Sequence, residues 1–162
     1  VAQAVAQVGF CVSGWKRTPA ELDGITVWSG AATLPDFLAE LDVLVNLLPA
    51  TPATDGLINH TLLSQLPKGA GFINVGRGRH VVQSDLLRAL DDGTLCGAVL
   101  DVVTPEPLPP EEPLWHHPRL PITPHVASEA AREVQARYVA DVVRSLERGE
   151  KPALLCDTAR GY

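Results

Sequence analysis

The sequence predicts an α/β fold built on a doubly wound parallel sheet. Three observations carry that expectation. Apolar runs such as DVLVNLL at 42–48 and GAVL at 97–100 are continuous rather than alternating, as in strands covered on both faces. Helical stretches separate each run from the next. Glycines also fall where helices should stop, with Gly93 after one such stretch and Gly149 after another.

In chain order, residues 1–8 read as a helix, and 9–13 (GFCVS) as a strand, with a weaker strand at 26–29. A short helix at 34–40 leads into the apolar strand at 42–48. Helix at 61–66, strand at 70–75, helix at 84–91 and strand at 95–103 follow, with a last strand at 120–123. Eight of the 14 prolines lie between Pro105 and Pro124, which predicts a rigid extended loop pinned by Leu108, Leu114 and Trp115. Residues 128–148 form one long amphipathic helix, with Val134, Tyr138 and Val142 at four-residue spacing and Glu133, Arg137 and Asp141 on an adjacent face. No internal repeat is present. A dinucleotide-binding fold opens with a strand, a glycine-rich loop and then a helix. Here the helix comes first, so the first strand and the phosphate-binding loop are expected to be missing. The expected organisation is an incomplete nucleotide-binding domain over 1–150 and a tail over 151–162 that leaves it for another domain.

The 162 residues are 46% hydrophobic and 20% charged, a balance that supports a core and argues against disorder. A net charge of −6 speaks against nucleic acid and anionic membrane as partners. No apolar run approaches the roughly 18 residues of a membrane span. The first ten residues, VAQAVAQVGF, lack the basic start of a signal peptide. Cys11, Cys96 and Cys156 are too scattered for a zinc site, so no metal is expected. They read as buried free thiols of a reducing, cytoplasmic compartment.

Parallel sheets place their chemistry beyond the carboxyl ends of the strands. There the sequence puts Pro49 and Thr54, then Gly76–Arg77–Gly78, then Asp101 and Glu106, then His125. An arginine, a glutamate and a histidine thus converge on one edge. His60, His80 and the His116–His117 pair receive no role. His60 and His80 read as surface or supporting residues.

The runs Asn74–Val75–Gly76–Arg77–Gly78, Leu100–Asp101–Val102–Val103 with Glu106–Pro107–Leu108, and Thr123–Pro124–His125 resemble the signature series of the D-isomer-specific 2-hydroxyacid dehydrogenases. The separations of 29 residues (77 to 106) and 19 residues (106 to 125) are similar to the family's too. PLPPEEPLWHHPRLPITPHVA and the terminal Ala159–Arg160–Gly161–Tyr162 resemble the glyoxylate/hydroxypyruvate reductase A type.

The resemblance implies hydride transfer between a nicotinamide and C2 of a small 2-oxo acid. Arg77 would then hold the substrate carboxylate with a planar, permanently charged fork. His125 would be the general acid, oriented and favoured as imidazolium by Glu106. Gly76 and Gly78 would let backbone and ligand approach closely. Cofactor contacts would come from Leu48, Pro49, Thr54, the Gly76 backbone and Asp101. Lys16, Arg17 and Thr18 after the second strand of the fold, with no acid until Glu21, favour NADP over NAD. The family also implies a homodimer for the full-length protein, and inactivity for these residues alone. The residues after His125 (126–129) lack the threonine common in that turn. Formate dehydrogenases share the pattern but carry glutamine where Glu106 stands. A corepressor-like relative that binds nicotinamide without turnover is the alternative of a different class.

Overall fold

The computed structural model describes residues 1–128 and 130–152. Glu129 lies outside the described residues, as do Cys156, the terminal Ala159–Arg160–Gly161–Tyr162 and most of the expected tail. Helix α1 (Ala2–Gln7) precedes β1 (Ser13–Lys16) and β2 (Thr26–Ser29). Helix α2 (Leu34–Ala39) leads to β3 (Val43–Asn46), and α3 (His60–Leu63) to β4 (Ala70–Asn74). After α4 (Gln83–Asp91) come β5 (Leu95–Leu100) and, beyond the proline-rich loop, α5 (Arg132–Glu147).

All strand pairs are parallel. β1 and β2 form one sheet, and β3, β4 and β5 form a second in that order. The fold is therefore the Rossmann-like α/β class the sequence predicts. In the doubly wound order, the strand between β1 and β3 carries the phosphate loop; among the described residues, none stands there.

The core is the layer between strands and helices α2, α3 and α4. Leu38, Leu63, Leu86, Leu90 and Leu95 are fully buried there, with Phe72 nearly so. Each such side chain contributes about 1.5–3 kcal/mol by leaving water. Asn59 caps α3 by accepting from the Leu62 amide at 3.1 Å, and Asp85 of α4 accepts from the His60 amide at 2.8 Å. α3 is thus tied to α4 through polar contacts as well as the apolar layer. Gly93 and Gly149 both adopt left-handed φ where α4 and α5 stop, as expected.

Several elements differ from the sequence reading, each for a physical reason. The first strand is Ser13–Lys16 rather than 9–13. Its partner begins at Thr26, opposite Ser13, and Gly9 turns the chain with φ 96° at the end of α1. The expected strand at 120–123 is a single bridge between Leu100 and Ile122, because Pro121 has no N–H for a ladder. In the proline-rich loop, Leu108 and Leu114 are buried, but Trp115 is half exposed and its indole N–H donates to the Pro109 carbonyl. α5 begins at Arg132 and buries no residue, so its apolar face does not join this core. Cys11 and Cys96 are exposed, not buried. Cys11 lies in the coil before β1, and Cys96 points away from the fully buried Leu95 on the alternating strand β5.

Candidate active site

Three parallel strand ends and one bridge set the site. β3 ends at Asn46 and continues to Leu48 and Pro49, while β4 ends at Asn74 and turns through Gly76 to Arg77. β5 ends at Leu100, and the Asp101 amide donates to the Asn74 carbonyl at 2.9 Å, keeping the two strand ends level. Ile122, bridged to Leu100, brings His125 to the same edge. A groove of about 580 Å³ runs between residues 47–50 on one side and 75–77 on the other.

His125 and Glu106 form a pair, with Nδ1 of the ring 3.0 Å from Oε1 of the carboxylate. Both side chains are roughly half exposed, 48% and 43%, so the ring is open to a ligand while Glu106 fixes one of its nitrogens. Arg77 is exposed, and its Nη1 donates to the Gly76 carbonyl at 2.7 Å. The Arg77 turn lies against the segment leading to Glu106. A Cβ built on Gly78 would stand 1.9 Å from the Val103 carbonyl oxygen. One on Gly76 would stand 2.7 Å from Asn46 Nδ2 and 3.2 Å from the Leu48 carbonyl. The close approach these glycines permit is between segments of the protein itself.

Asp101 is 3% exposed, and its carboxylate holds the His125 turn. Oδ1 accepts from the Thr123 hydroxyl and from the Val126 amide at 2.9 Å, and Oδ2 accepts from the Ala127 amide at 2.9 Å. Between these donors His125 adopts φ 57°, a left-handed conformation that few residues with a Cβ take. Burial pulls the Asp101 carboxyl upward. The Thr123 hydroxyl and the Ala127 and Val126 amides together outweigh that and hold it below the usual carboxylate range.

Asp101→Asn keeps one carbonyl acceptor but turns an amide N–H₂ toward a donor, so it costs about 1–3 kcal/mol near neutral pH. A group with a depressed folded-state pKa stabilises fully above its unfolded value, and that stability disappears as pH falls through the folded value. The gap between wild type and Asp101→Asn in urea unfolding therefore narrows below the ordinary aspartate range. Equal stabilities near neutrality would show that the clamp does not hold the turn.

The remaining residues predicted from sequence lie along the same edge or beyond it. Thr54 is half-buried, donates its hydroxyl to the Pro49 carbonyl at 2.8 Å and accepts from the Thr51 amide at 2.9 Å, which shapes the turn after β3. Lys16, Arg17 and Thr18 are exposed at the carboxyl end of β1. Among the described residues, no group of His, Cys, Asp or Glu is arranged to hold a metal ion.

The family model for the D-isomer specific 2-hydroxyacid dehydrogenase NAD binding domain matches residues 1–127. The chain belongs to the D-isomer-specific 2-hydroxyacid dehydrogenase family. It is 44% identical over all 162 residues to a glyoxylate/hydroxypyruvate reductase A of Yersinia enterocolitica, covering 52% of that relative. A D-isomer specific 2-hydroxyacid dehydrogenase from Xanthobacter autotrophicus, solved with NADPH and MES, superimposes with a TM-score of 0.95 at 43% identity. That match covers 99% of this chain and 66% of the other. An NADPH-dependent glyoxylate/hydroxypyruvate reductase from Sinorhizobium meliloti, solved with NADP and sulfate, gives 0.94 at 38% identity, covering 99% of this chain and 52% of the other. The chain thus spans about half the length of the curated relative it matches.

Within the dehydrogenase domain, one residue of the site is not legible in the sequence reading. His80, expected at the surface or in support, is completely buried behind the Arg77 turn, with Nδ1 2.9 Å from Asn46 Nδ2. Burial is the main reason its imidazole titrates below the usual histidine range. Its partner Asn46 is set by the β3–β4 register, which places Asn46 opposite Asn74. Of the other histidines left without a role, His117 pairs with Asp91 at 3.5 Å and His60 meets Arg88 at 2.8 Å.

Proposed function

We propose that the chain forms the nicotinamide-binding and catalytic part of a reductase that converts a small 2-oxo acid, of the glyoxylate or hydroxypyruvate kind, to the D-2-hydroxy acid with NADPH. The Glu106–His125 pair, at 3.0 Å beside the strand end that carries Arg77, supports this reading above all. Glu106 holds Nδ1 and orients the ring, leaving Nε2 to give a proton to the substrate carbonyl oxygen and to take it back in the reverse direction. Arg77 binds the substrate carboxylate with its fork of N–H donors. The nicotinamide supplies the hydride. Leu48, Pro49, Thr54, the Gly76 backbone and Asp101 line its side of the site. Lys16, Arg17 and Thr18 take the phosphate-bearing ribose, in keeping with their exposure at the end of β1.

Residues 1–150 serve as the NAD(P)-binding domain and 151–162 as a tail returning to a substrate domain. The match of the family model over 1–127 supports the first of these. Exposed thiols at Cys11 and Cys96 suit a reducing cytoplasm, and the exposed apolar residues of α5, among them Val139 and Leu146, suit a homodimer. No described helix is long and apolar enough to cross a membrane.

The test is turnover by the full natural polypeptide that carries these residues. NADPH oxidation with glyoxylate and hydroxypyruvate is expected, with kcat/KM at least about tenfold higher for NADPH than for NADH. A clear NADH preference refutes the role given to Lys16 and Arg17. Cofactor binding without turnover on any 2-oxo acid points instead to a regulatory relative.

A further inference from the structure

Three buried side chains at the strand ends form a polar network whose proton positions can be deduced. The Leu48 amide donates to Asn46 Oδ1 at 3.1 Å, which fixes that side-chain amide, so Nδ2 is its donor end. The Gly76 amide likewise donates to Asn74 Oδ1 at 3.1 Å, and Asn74 Nδ2 donates to the Arg77 carbonyl at 3.1 Å. Asn46 Nδ2 then donates in two directions, to Asn74 Oδ1 at 2.8 Å and to His80 Nδ1 at 2.9 Å. An amide nitrogen has only protons to offer, so Nδ1 accepts and the His80 proton sits on Nε2. Of the backbone groups around the ring, the Pro49 carbonyl acts on it as a hydrogen-bond acceptor.

We propose that His80 is a positioning residue: a neutral imidazole that accepts from Asn46, locks the Asn46–Asn74 pair, and so holds the Arg77 turn and the Leu48–Pro49 turn in fixed relation across the groove. The network touches both walls. Asn74 holds the Gly76 amide and the Arg77 carbonyl on one side, and Asn46 holds the Leu48 amide on the other. Protonating His80 puts an N–H where Nδ1 accepts, so it opposes Asn46 donor to donor. The charged groups that act on the ring are Asp55, which favours the cation, and Arg77 and Arg79, which oppose it. Asp55 is paired with Arg79, which blunts its pull. The inference rests on the proposed function, in which one wall holds the substrate carboxylate and the other borders the cofactor.

The test uses steady-state kinetics of the full-length protein with NADPH and hydroxypyruvate. His80→Leu removes the acceptor, and KM for both ligands rises about tenfold or more while kcat falls less. His80→Asn sets a carbonyl oxygen near the place of Nδ1 and restores both KM values to within about threefold. In wild type both KM values climb as pH drops below the ordinary imidazole range, and in His80→Asn they do not. Nitrogen NMR of the wild-type protein near neutral pH finds His80 protonated on Nε2 alone. Unchanged KM values in His80→Leu, no rescue by His80→Asn, or a proton on Nδ1 each overturn the proposal. If Arg77→Ala leaves the hydroxypyruvate KM unchanged, the proposed function itself fails. If Arg77→Ala raises it and His80→Leu does not, only the role of His80 fails.

Discussion

Replacing His125 with alanine in the full-length protein lowers kcat/KM for the 2-oxo acid by at least about 100-fold, and replacing Arg77 with alanine does the same. The two losses have different signatures. His125→Ala removes the proton donor from a carbonyl that must gain a proton as the hydride arrives, so most of the loss is in kcat. Arg77→Ala removes the partner of the substrate carboxylate, so KM rises as well. Glu106→Gln keeps a hydrogen-bond acceptor near His125 Nδ1, 3.0 Å away in the wild type, but withdraws the negative charge. That change weakens the charge-assisted hydrogen bond that orients the ring, and kcat falls while KM changes little. Losses of tenfold or less in both alanine variants would remove the assignment of the pair.

The largest expected effect on stability is that of Gly78→Ala. Its added Cβ would stand 1.9 Å from the Val103 carbonyl oxygen and 2.1 Å from the Val103 carbonyl carbon. Both atoms are backbone of the segment from β5 to Glu106, so neither can swing aside as a side-chain end would. The variant loses about 3 kcal/mol in chemical denaturation. It also loses activity in what remains folded, because parting the two segments moves Arg77 and Glu106 apart. Gly97→Ala is the matched comparison. Its nearest atom, the Arg119 carbonyl oxygen, lies at 3.5 Å, and its stability stays within about 1 kcal/mol of wild type. Wild-type stability in Gly78→Ala would show that the two segments do not meet this tightly.

The order of strands and helices was legible because continuous apolar runs and helix stops are local signals. β2, β4 and α4 fall within a residue of where the pattern sets them, since their boundaries coincide with Gly, Pro or a change of period. The apolar run from Phe10 to Val12 points to a strand four residues before β1, whereas the register opposite Thr26 decides which residues pair. The Glu106–His125 pair was legible from spacing and residue type. Asp101 was legible as an acid at a strand end. That its carboxylate would turn to the Val126 and Ala127 amides depends on a bridge between residues 100 and 122, which no window of sequence contains. His80 was hidden for a related reason. Preceded by Arg77 and Arg79, it reads as a surface or supporting residue, and the pairing of Asn46 with Asn74 makes a buried polar place for it.

The division of the strands into two sheets has a bearing on how this polypeptide keeps company. β1 pairs only with β2, and β3 only with β4, so among the described residues each retains one side of unpaired N–H and C=O groups. Along β3 and just past it, Val43, Val45 and Leu47 are 42–50% exposed. Unpaired backbone beside branched apolar side chains is a template for any extended segment that arrives, whether from the same molecule or another. The chemistry sits at the ends of these strands, while their flanks decide whether the polypeptide stays dispersed. Solubility is therefore governed by what lies alongside β1 and β3, independently of whether Arg77, Glu106 and His125 are intact.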